Sequence, residues 1–180
     1  LGGTGDDVVW GEAGDDRLWG GSGNDTLRGN HGSDQGKGES GRDLVRGDED
    51  DDGPLNGGQD RDLVAGNEGN DVVEGGADDD ELLGGSDDDG AATGAPSSSD
   101  ADDRLSGQHG DDRLYGDSVK VTGRITDEEQ PSIDFIPSPD TAAFGNDRLR
   151  GGAGQDLAHG QDGDDDLLGG ADHDQLHGDL

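Results

Sequence analysis

The sequence predicts an all-β protein, a right-handed parallel β-roll (a β-solenoid) of about eight 18-residue coils with one long insertion. Three observations predict it: a nine-residue repeat that keeps phase along most of the chain, an Asp that recurs once per repeat, and an apolar residue two positions after that Asp. Short repeats that each bury little apolar surface are typical of solenoids, in which order comes from stacking on neighbouring repeats.

The repeat begins with Gly in most of its copies. Aligned in steps of nine, the first windows are GGTGDDVVW, GEAGDDRLW and GGSGNDTLR. Sixteen windows can be placed, and they start at Gly2, Gly11, Gly20, Gly29, Gly38, Gly47, Gly57, Gly66, Gly75, Gly84, Ser98, Gly107, Ala142, Gly151, Gly160 and Gly169. A disordered acidic linker would not keep phase in this way, so the pattern indicates a folded repeat protein.

The last three positions of each window predict a short strand. The eighth position is Val or Leu in twelve of the sixteen windows, and the exceptions are Gly36, Pro54, Ala91 and Ala158. Gly and Asp in the first six positions favour a turn, because Gly permits the positive φ values that tight turns need. The alternation of side chains along a strand then points the eighth residue inward and its neighbours outward. Two windows close one flattened coil around a thin core.

The composition requires something other than a large core to stabilise this chain. Hydrophobic residues make up 24%, and 46 acidic residues against 12 basic ones give a formal net charge of −34. So little apolar surface does not offset the entropy of the chain, and self-repulsion of this size opposes folding unless cations neutralise it. The charge predicts multivalent cations as partners and no nucleic acid. Without Cys there is no disulfide or thiolate site, and no apolar run approaches the roughly 18 residues of a membrane span.

The repeat resembles the G-G-x-G-x-D-x-U-x nonapeptide of the RTX (repeats-in-toxin) family, the haemolysin-type calcium-binding repeat. The resemblance covers about four-fifths of the chain. It implies that successive turns hold Ca²⁺ between them. It also implies that Asp carboxylates and backbone carbonyls are the ligands, which suits a cation that prefers six or more oxygens.

The resemblance assigns the side-chain ligands of Ca²⁺ to the sixth position, which is Asp in all sixteen windows. The predicted ligands are Asp7, Asp16, Asp25, Asp34, Asp43, Asp62, Asp71, Asp80, Asp103, Asp112, Asp147, Asp156, Asp165 and Asp174. Asp52 and Asp89 are left out, because their windows lack the inward apolar residue. The fourth-position Gly is replaced by Asp at Asp50, Asp60, Asp78, Asp87 and Asp172. Such residues would be either extra ligands or a source of strain.

The charge of the bound ions fits the charge of the chain. If about one Ca²⁺ occupies each turn, sixteen ions bring roughly +32 against a net charge of −34. Without calcium, the carboxylates of adjacent turns would lie a strand spacing of ~4.8 Å apart. Their repulsion predicts that the roll unfolds without calcium, so that binding energy is folding energy.

The chain is predicted to form a single roll over 1–177, and 178–180 would begin a further repeat or be the C-terminal end. The roll is interrupted by one extra residue at Asn56 and by inserts at 93–97 and 116–141. Each interruption follows an even-numbered window, which predicts that all three lie at one edge. The longest insert is the most apolar stretch, with Ile125, Ile133 and Phe135 among its residues. It is either a hairpin folded back over the roll or an arm that docks a partner.

Some side chains are not explained by the repeat pattern. Outward positions hold Val8, Leu44, Leu63, Val72, Leu83, Leu157 and Leu168, which is unusual for a free surface. Trp10 and Trp19 end consecutive windows and could cap the roll, be buried by a partner or stack on a sugar. His159 and His177 lie one coil apart and could hold a transition metal, although the sequence offers no third ligand.

The sequence predicts a binding module and no enzyme, because it has no nucleophile motif and no phosphate loop. The expected function is that of a calcium-binding structural and interaction module of a secreted or cell-surface bacterial protein. It would be exported by a type I system, fold on calcium outside the cytosol (the periplasmic side is also open) and dock to a larger assembly or surface through 116–141. The alternative is an accessory C-terminal module of a secreted protease, lipase, epimerase or haemolysin whose catalytic part lies elsewhere.

Overall fold

A computed structural model describes residues 1–85, 103–110, 112–116, 145–161 and 163–178. Asp87, Asp89, the insert 93–97 and nearly all of the insert 116–141 lie outside the described residues. Within the described ranges the regular elements are all strands, and none of these residues forms a helix that could cross a membrane.

The strands form two parallel sheets of eight strands each. The strands of the first sheet are β1 (Gly3–Thr4), β3 (Arg17–Ser22), β5 (Gln35–Ser40), β7 (Leu55–Gln59), β9 (Val72–Ala77), β11 (Arg104–His109), β13 (Arg148–Ala153) and β15 (Asp166–Ala171). Those of the second sheet are β2 (Val8–Ala13), β4 (Thr26–His31), β6 (Leu44–Glu49), β8 (Leu63–Glu68), β10 (Glu81–Leu83), β12 (Arg113–Tyr115), β14 (Leu157–His159) and β16 (Gln175–His177).

The chain alternates between the two sheets, so each strand pairs with the second strand after it in sequence. Gly3 pairs with Gly21, for example, and Val8 with Thr26. The eight strands of a sheet are therefore separated by seven turns of about 18 residues, apart from the inserts. The predicted parallel β-solenoid is confirmed.

Many of the strands are longer than the repeat predicts. Val8–Ala13 has six residues where the repeat predicts three, because the first three positions of the next window continue the parallel ladder. Glu12 pairs with Asn30 and Ala13 with His31 in this extension. The turn is thus confined to positions four to six, and the sixth-position Asp lies directly before the next strand.

The core is the single layer of eighth-position side chains between the sheets. It consists of Leu18, Leu27, Val45, Leu55, Val64, Val73, Leu82, Leu105, Leu114, Leu149 and Ala158, with Val9 and Leu167 packed against its ends. Gly36 also faces this layer, and a Cβ there would lie 2.7 Å from Cγ1 of Val45. The neighbouring side chains therefore occupy the space that Gly36 leaves.

The irregularity predicted at Asn56 lies earlier in the chain. Leu55 pairs with Gly36 and Asn56 with Lys37, so Leu55 takes the inward eighth position and Asn56 the outward ninth. The extra residue belongs to the turn around Gly53 and Pro54, whose peptide bond is cis. The sixth window therefore keeps its inward apolar side chain, and the reason for leaving Asp52 out of the ligand set is wrong.

Substitution at Leu55 tests this register. Leu55 is 1% exposed, so Leu55→Ala should lower the free energy of unfolding by about 2–5 kcal/mol. Gln59→Ala, at an exposed position of the same strand, is the matched control and should cost less than about 1 kcal/mol. Urea unfolding in saturating calcium measures both. A larger loss for Gln59→Ala than for Leu55→Ala would contradict the register.

The described residues on either side of the two longer interruptions come together as the first and sixth residues of a turn. A Cβ at Gly84 would fall on Oδ2 of Asp103, and one at Gly116 on Oδ2 of Asp147. In regular windows the same contact joins the first residue to the sixth, as it does for Gly20 and Asp25. Gly84 is thus the first residue and Asp103 the sixth residue of one turn. Gly116 and Asp147 have the same positions in another turn. Both interruptions, like the Gly53–Pro54 irregularity, connect a strand of the second sheet to the next strand of the first, so all three share one edge.

Candidate metal centre

The sixth-position Asp residues form two columns, one along each edge of the roll. The first column lies in the connections from the second sheet to the first and contains Asp16, Asp34, Asp52, Asp71, Asp103, Asp147 and Asp165. The second lies in the opposite connections and contains Asp7, Asp25, Asp43, Asp62, Asp80, Asp112, Asp156 and Asp174. All fourteen predicted ligands are in these columns, together with Asp52.

A hydrogen bond joins each Asp to the next one in its column. The backbone N–H of each residue donates to Oδ1 of the Asp one coil later, at 2.7–3.2 Å. The N–H of Asp25, for example, donates to Asp43 at 2.7 Å. These bonds fix the orientation of every carboxylate in the columns except those of Asp7 and Asp16, which begin them. The sequence pattern does not predict these hydrogen bonds, because they require each Asp side chain to point towards the preceding Asp of its column.

The other carboxylate oxygen, Oδ2, is buried without a hydrogen-bond partner in much of the described roll. This is so in Asp7, Asp25, Asp34, Asp43, Asp52, Asp62, Asp71 and Asp80. A buried charged oxygen without a partner costs on the order of 1–3 kcal/mol or more. A repeated feature of this kind indicates a ligand that satisfies it.

Backbone oxygens lie close to these carboxylates. A Cβ built at Gly20 would fall on Oδ2 of Asp25 and lie 2.8 Å from the carbonyl oxygen of Gly38. The missing side chain at Gly20 thus leaves room for two oxygens from different coils. Carboxylate and carbonyl oxygens are the hard donors that Ca²⁺ prefers, so the residues present fit the ion that the resemblance implies.

Burial makes the charged form of these carboxylates unfavourable. It raises the pKa of Asp52, Asp62 and Asp80 to about 8, with a further contribution from the stacked carboxylates of the same column. The pKa of Asp71 rises to about 7 and that of Asp43 to about 6, again mainly by burial. The hydrogen bond that each accepts from a backbone N–H opposes the shift without cancelling it. A divalent cation beside Oδ2 would favour the ionised form.

Side chains alone do not form a complete metal cage. Among the described residues, no three acidic or His side chains converge on one point. This follows from the repeat, because it contributes one inward carboxylate per turn and the next in the column lies a strand spacing away. Backbone carbonyls must therefore complete any calcium coordination here.

The pKa shifts predict acid-induced folding in the absence of calcium. The pKa of Asp52 is about 8 in the fold against an ordinary value of 3.8, so the metal-free roll binds more protons than the unfolded chain between these values. Its stability should therefore rise as the pH falls from about 8 to about 5.5. Circular dichroism of calcium-free protein measures this, at a pH above the pI of 4.1. A loss of β-structure on acidification would contradict the prediction.

The fourth-position Asp residues adopt the left-handed conformation that Gly adopts elsewhere. Their φ values are 76° at Asp50, 72° at Asp60, 77° at Asp78 and 80° at Asp172. Asp tolerates this region better than most residues because its side chain can form local hydrogen bonds. Oδ2 of Asp50 accepts a bond from the N–H of Gly32 at 3.2 Å, and Oδ2 of Asp78 accepts one from Asp60 at 3.3 Å. Asp50 and Asp78 thus act as hydrogen-bond acceptors between turns, in a backbone conformation that is costly for a residue with a side chain.

The aromatic and His residues that the repeat pattern does not explain lie on the outer faces of the two sheets. The rings of His159 and His177 stack with centroids 4.5 Å apart, and Tyr115 stacks on His159 at 5.6 Å. The two His residues are adjacent, as their spacing predicts, but they belong to no group of three possible metal ligands among the described residues. Trp10 lies on the second sheet and is 64% exposed, while Trp19 lies on the first and is half-buried.

Comparison with known proteins gives one match. A family model described as the RTX calcium-binding nonapeptide repeat matches in four copies, over residues 1–27, 56–91, 98–118 and 141–176. These segments include more than half of the chain. No curated protein and no solved structure matches it.

Proposed function

This chain belongs to the family of RTX calcium-binding nonapeptide repeats, and from that premise we propose that it is a calcium-folded structural and interaction module of a secreted or cell-surface protein. The repeats of this family bind Ca²⁺. The observation that carries the proposal is the pair of Asp columns, in which buried Oδ2 atoms lack a hydrogen-bond partner. Calcium provides the positive charge that these columns lack.

The ligands in this proposal are the fourteen predicted Asp residues and Asp52. Asp52 accepts a hydrogen bond from Asp34 and donates one to Asp71, as a regular member of its column does. It is 4% exposed, the same fraction as Asp43. Asp89 stays outside the set, because the turn that starts at Gly84 is closed by Asp103.

The proposed cellular location follows from where calcium is available for folding. Calcium is scarce in the cytosol and plentiful outside the cell, so a chain that needs calcium to fold would remain unfolded until export. Export of unfolded chain suits a type I system, and an extracellular or cell-surface location, with the periplasmic side also open, supplies the ion. A net charge of −34 is consistent with a chain that stays extended before calcium binds.

The role after folding is docking to a larger assembly or surface. The candidate contact is the segment 116–141, because inserts on a rigid repeat scaffold commonly carry binding. The alternative proposal is an accessory module of a secreted enzyme or toxin with the catalytic part elsewhere. The sequence flanking Leu1 and Leu180 in the parent reading frame separates the two.

Isosteric substitutions test the ligand assignment. Asp25→Asn and Asp52→Asn keep an oxygen for the column hydrogen bond but remove the charge, so each should raise the calcium concentration at half-saturation by roughly tenfold, about 1.4 kcal/mol. Asp89→Asn is the matched control, with an expected change below about twofold. Isothermal titration with calcium measures all three. Equal effects at Asp25 and Asp89 would refute the assignment.

A further inference from the structure

Two adjoining cavities lie on the outer face of the first sheet. The first has a volume of about 350 Å³, and its polar and aromatic lining consists of Trp19, Gln35, Lys37, Asn56 and Glu74. The second has a volume of about 510 Å³, shares Lys37 and Asn56 with the first and continues as far as β11. Both volumes fall in the range of small-molecule binding sites. We call the two cavities together the outer groove.

A row of outward side chains that differ in size and chemistry borders the outer groove. The row crosses β3, β5, β7 and β9 and consists, in order, of Trp19, Lys37, Asn56 and Glu74. With neighbouring strands ~4.8 Å apart, the row extends over roughly 14 Å. This length leaves room for a linear ligand of several rings that lies across the strands.

Backbone forms the floor of the second part of the groove. Gly58 and Gly76 lie side by side on β7 and β9. Their φ values of 125° and 131° are in the region that favours Gly, and a Cβ at Gly58 would fall on the carbonyl oxygen of Glu39. The fold therefore keeps this part of the face free of side chains, between Glu39 at one end and Gln108 at the other.

The polar side chains of the groove present both hydrogen-bond donors and acceptors. Nδ2 of Asn56 donates to Oε2 of Glu74 at 3.2 Å. This bond orients both side chains and leaves the amide oxygen of Asn56 as an acceptor. Gln35 and Lys37 are exposed, and they supply amide and ammonium donors. Since a hydroxyl group both donates and accepts, a ligand with many hydroxyl groups can bond to all of these side chains.

Trp19 provides the apolar surface of the groove. It is half-buried on the sheet, and an indole combines a large flat apolar face with one N–H donor. The C–H face of a sugar ring packs on such a surface while its hydroxyl groups reach polar neighbours. Trp10 is the corresponding residue of the preceding window, but it is 64% exposed on the second sheet and borders neither part of the outer groove.

The charge of the groove favours an uncharged ligand. Lys37 against Glu39 and Glu74 gives a local formal charge of 1 − 2 = −1, so an acidic ligand would meet two carboxylates. An extended peptide cannot add to this surface as a strand, because β5, β7 and β9 are paired on both sides within the sheet. A neutral polyhydroxyl chain meets neither obstacle.

We propose that the outer groove binds a short stretch of neutral polysaccharide. One sugar ring packs on Trp19, and hydroxyl groups of the chain bond to Gln35, Lys37, Asn56 and Glu74. The ligand is additional to calcium and binds to the folded roll. The site lies wholly within the described strands, and it does not depend on which Asp residues hold calcium.

The two Trp residues of the chain allow a direct test. Trp10→Ala leaves Trp19 as the reporter of the groove, and Trp19→Ala leaves Trp10 as the matched control on the other sheet. Each protein in saturating calcium is titrated with cellohexaose, maltohexaose, xylohexaose and chitohexaose. At least one of these neutral sugars should change the fluorescence of Trp19 saturably, with a dissociation constant on the order of 1 mM or below. None should change that of Trp10.

Two Gln residues give a second test that leaves the aromatic residues unchanged. Gln35 and Gln175 are both exposed at the seventh position of a window, but Gln35 lines the groove and Gln175 lies on β16 of the second sheet. Gln35→Ala should weaken binding of the active sugar about fivefold, and Gln175→Ala less than about twofold. Isothermal titration measures both. Equal β-content by circular dichroism in calcium separates loss of the groove from failure of calcium-dependent folding.

Any one of four results would overturn the proposal. The first is the absence of a saturable change in Trp19 fluorescence with all four sugars up to about 10 mM. The second is an equal response of Trp10. The third is tighter binding of hexagalacturonic acid than of every neutral sugar, since the groove would then select for negative charge. If Trp19→Ala does not fold, the Gln pair decides, and equal effects of its two substitutions are the fourth result.

Discussion

Removal of calcium is expected to convert the roll into a largely unfolded chain. Eight of the stacked Asp residues have a buried Oδ2 without a hydrogen-bond partner, against eleven residues in the buried core. Burial of one Val or Leu side chain contributes about 1.5–3 kcal/mol, and one unsatisfied buried carboxylate costs a similar amount. The core therefore does not offset both the carboxylates and the entropy of the chain. Calcium reverses the balance by pairing with the carboxylates.

Far-UV circular dichroism in a chelator and then in millimolar calcium measures this transition. The β-signal should appear on calcium addition and disappear on chelation. Magnesium at the same concentration is the control and should restore much less structure, because it demands a smaller octahedral site and sheds its water reluctantly. Equal β-content in chelator and in calcium would refute calcium-dependent folding.

Gly66→Ala is expected to be among the most damaging single substitutions in the roll. A Cβ at this position would fall on Oδ2 of Asp71 and lie 2.6 Å from the Cβ of Asp71. Asp71 is completely buried and accepts the N–H of Asp52, so it has no free space into which to move. The variant must displace a carboxylate, a hydrogen bond and the adjoining turn together. We expect a loss of at least about 3 kcal/mol.

Gly178→Ala is the matched control for this substitution. A Cβ there would meet only Cδ1 of Leu167, at 3.9 Å, so the change should be nearly neutral. Urea unfolding in saturating calcium compares the two variants, and a calcium titration of each shows whether the metal sites are affected. Similar stability of the two proteins would mean that the first-position Gly does not shape the site.

The parallel solenoid can be predicted from the sequence because the pattern is local and repeated. Once the eighth position is recognised as inward, counting in steps of nine places residues such as Leu27 and Val64 in the core, and both are fully buried. The sixth-position Asp residues can be placed at the edges for the same reason. The hydrogen bond that joins Asp25 to Asp43 cannot be predicted in this way, because it depends on side-chain torsions that no spacing determines.

The wrong predictions arise where the nine-residue step is followed too literally. Leu55 stands in the ninth place of its window, so a strict count misses it, although it fills the inward site next to Gly36. A search for the nearest apolar residue, allowing one extra position in the turn, finds Leu55 and keeps Asp52 as a ligand. A strict count misplaces the turns from Gly84 to Asp103 and from Gly116 to Asp147 for a similar reason. Their first and sixth residues are neighbours in space but far apart in sequence.

The column hydrogen bonds keep their length when the chain between them grows. The N–H of Asp71 donates to Asp103, 32 residues later, at 2.8 Å, and that of Asp103 donates to Asp147, 44 residues later, at 2.9 Å. A regular step of 18 residues, from Asp25 to Asp43, gives 2.7 Å. Because loop-closure entropy increases only slowly with length, this edge can accept foreign peptide between two fixed anchor residues. The roll can therefore serve as a scaffold that displays inserted peptides. The places for insertion are between Gly84 and Asp103 and between Gly116 and Asp147.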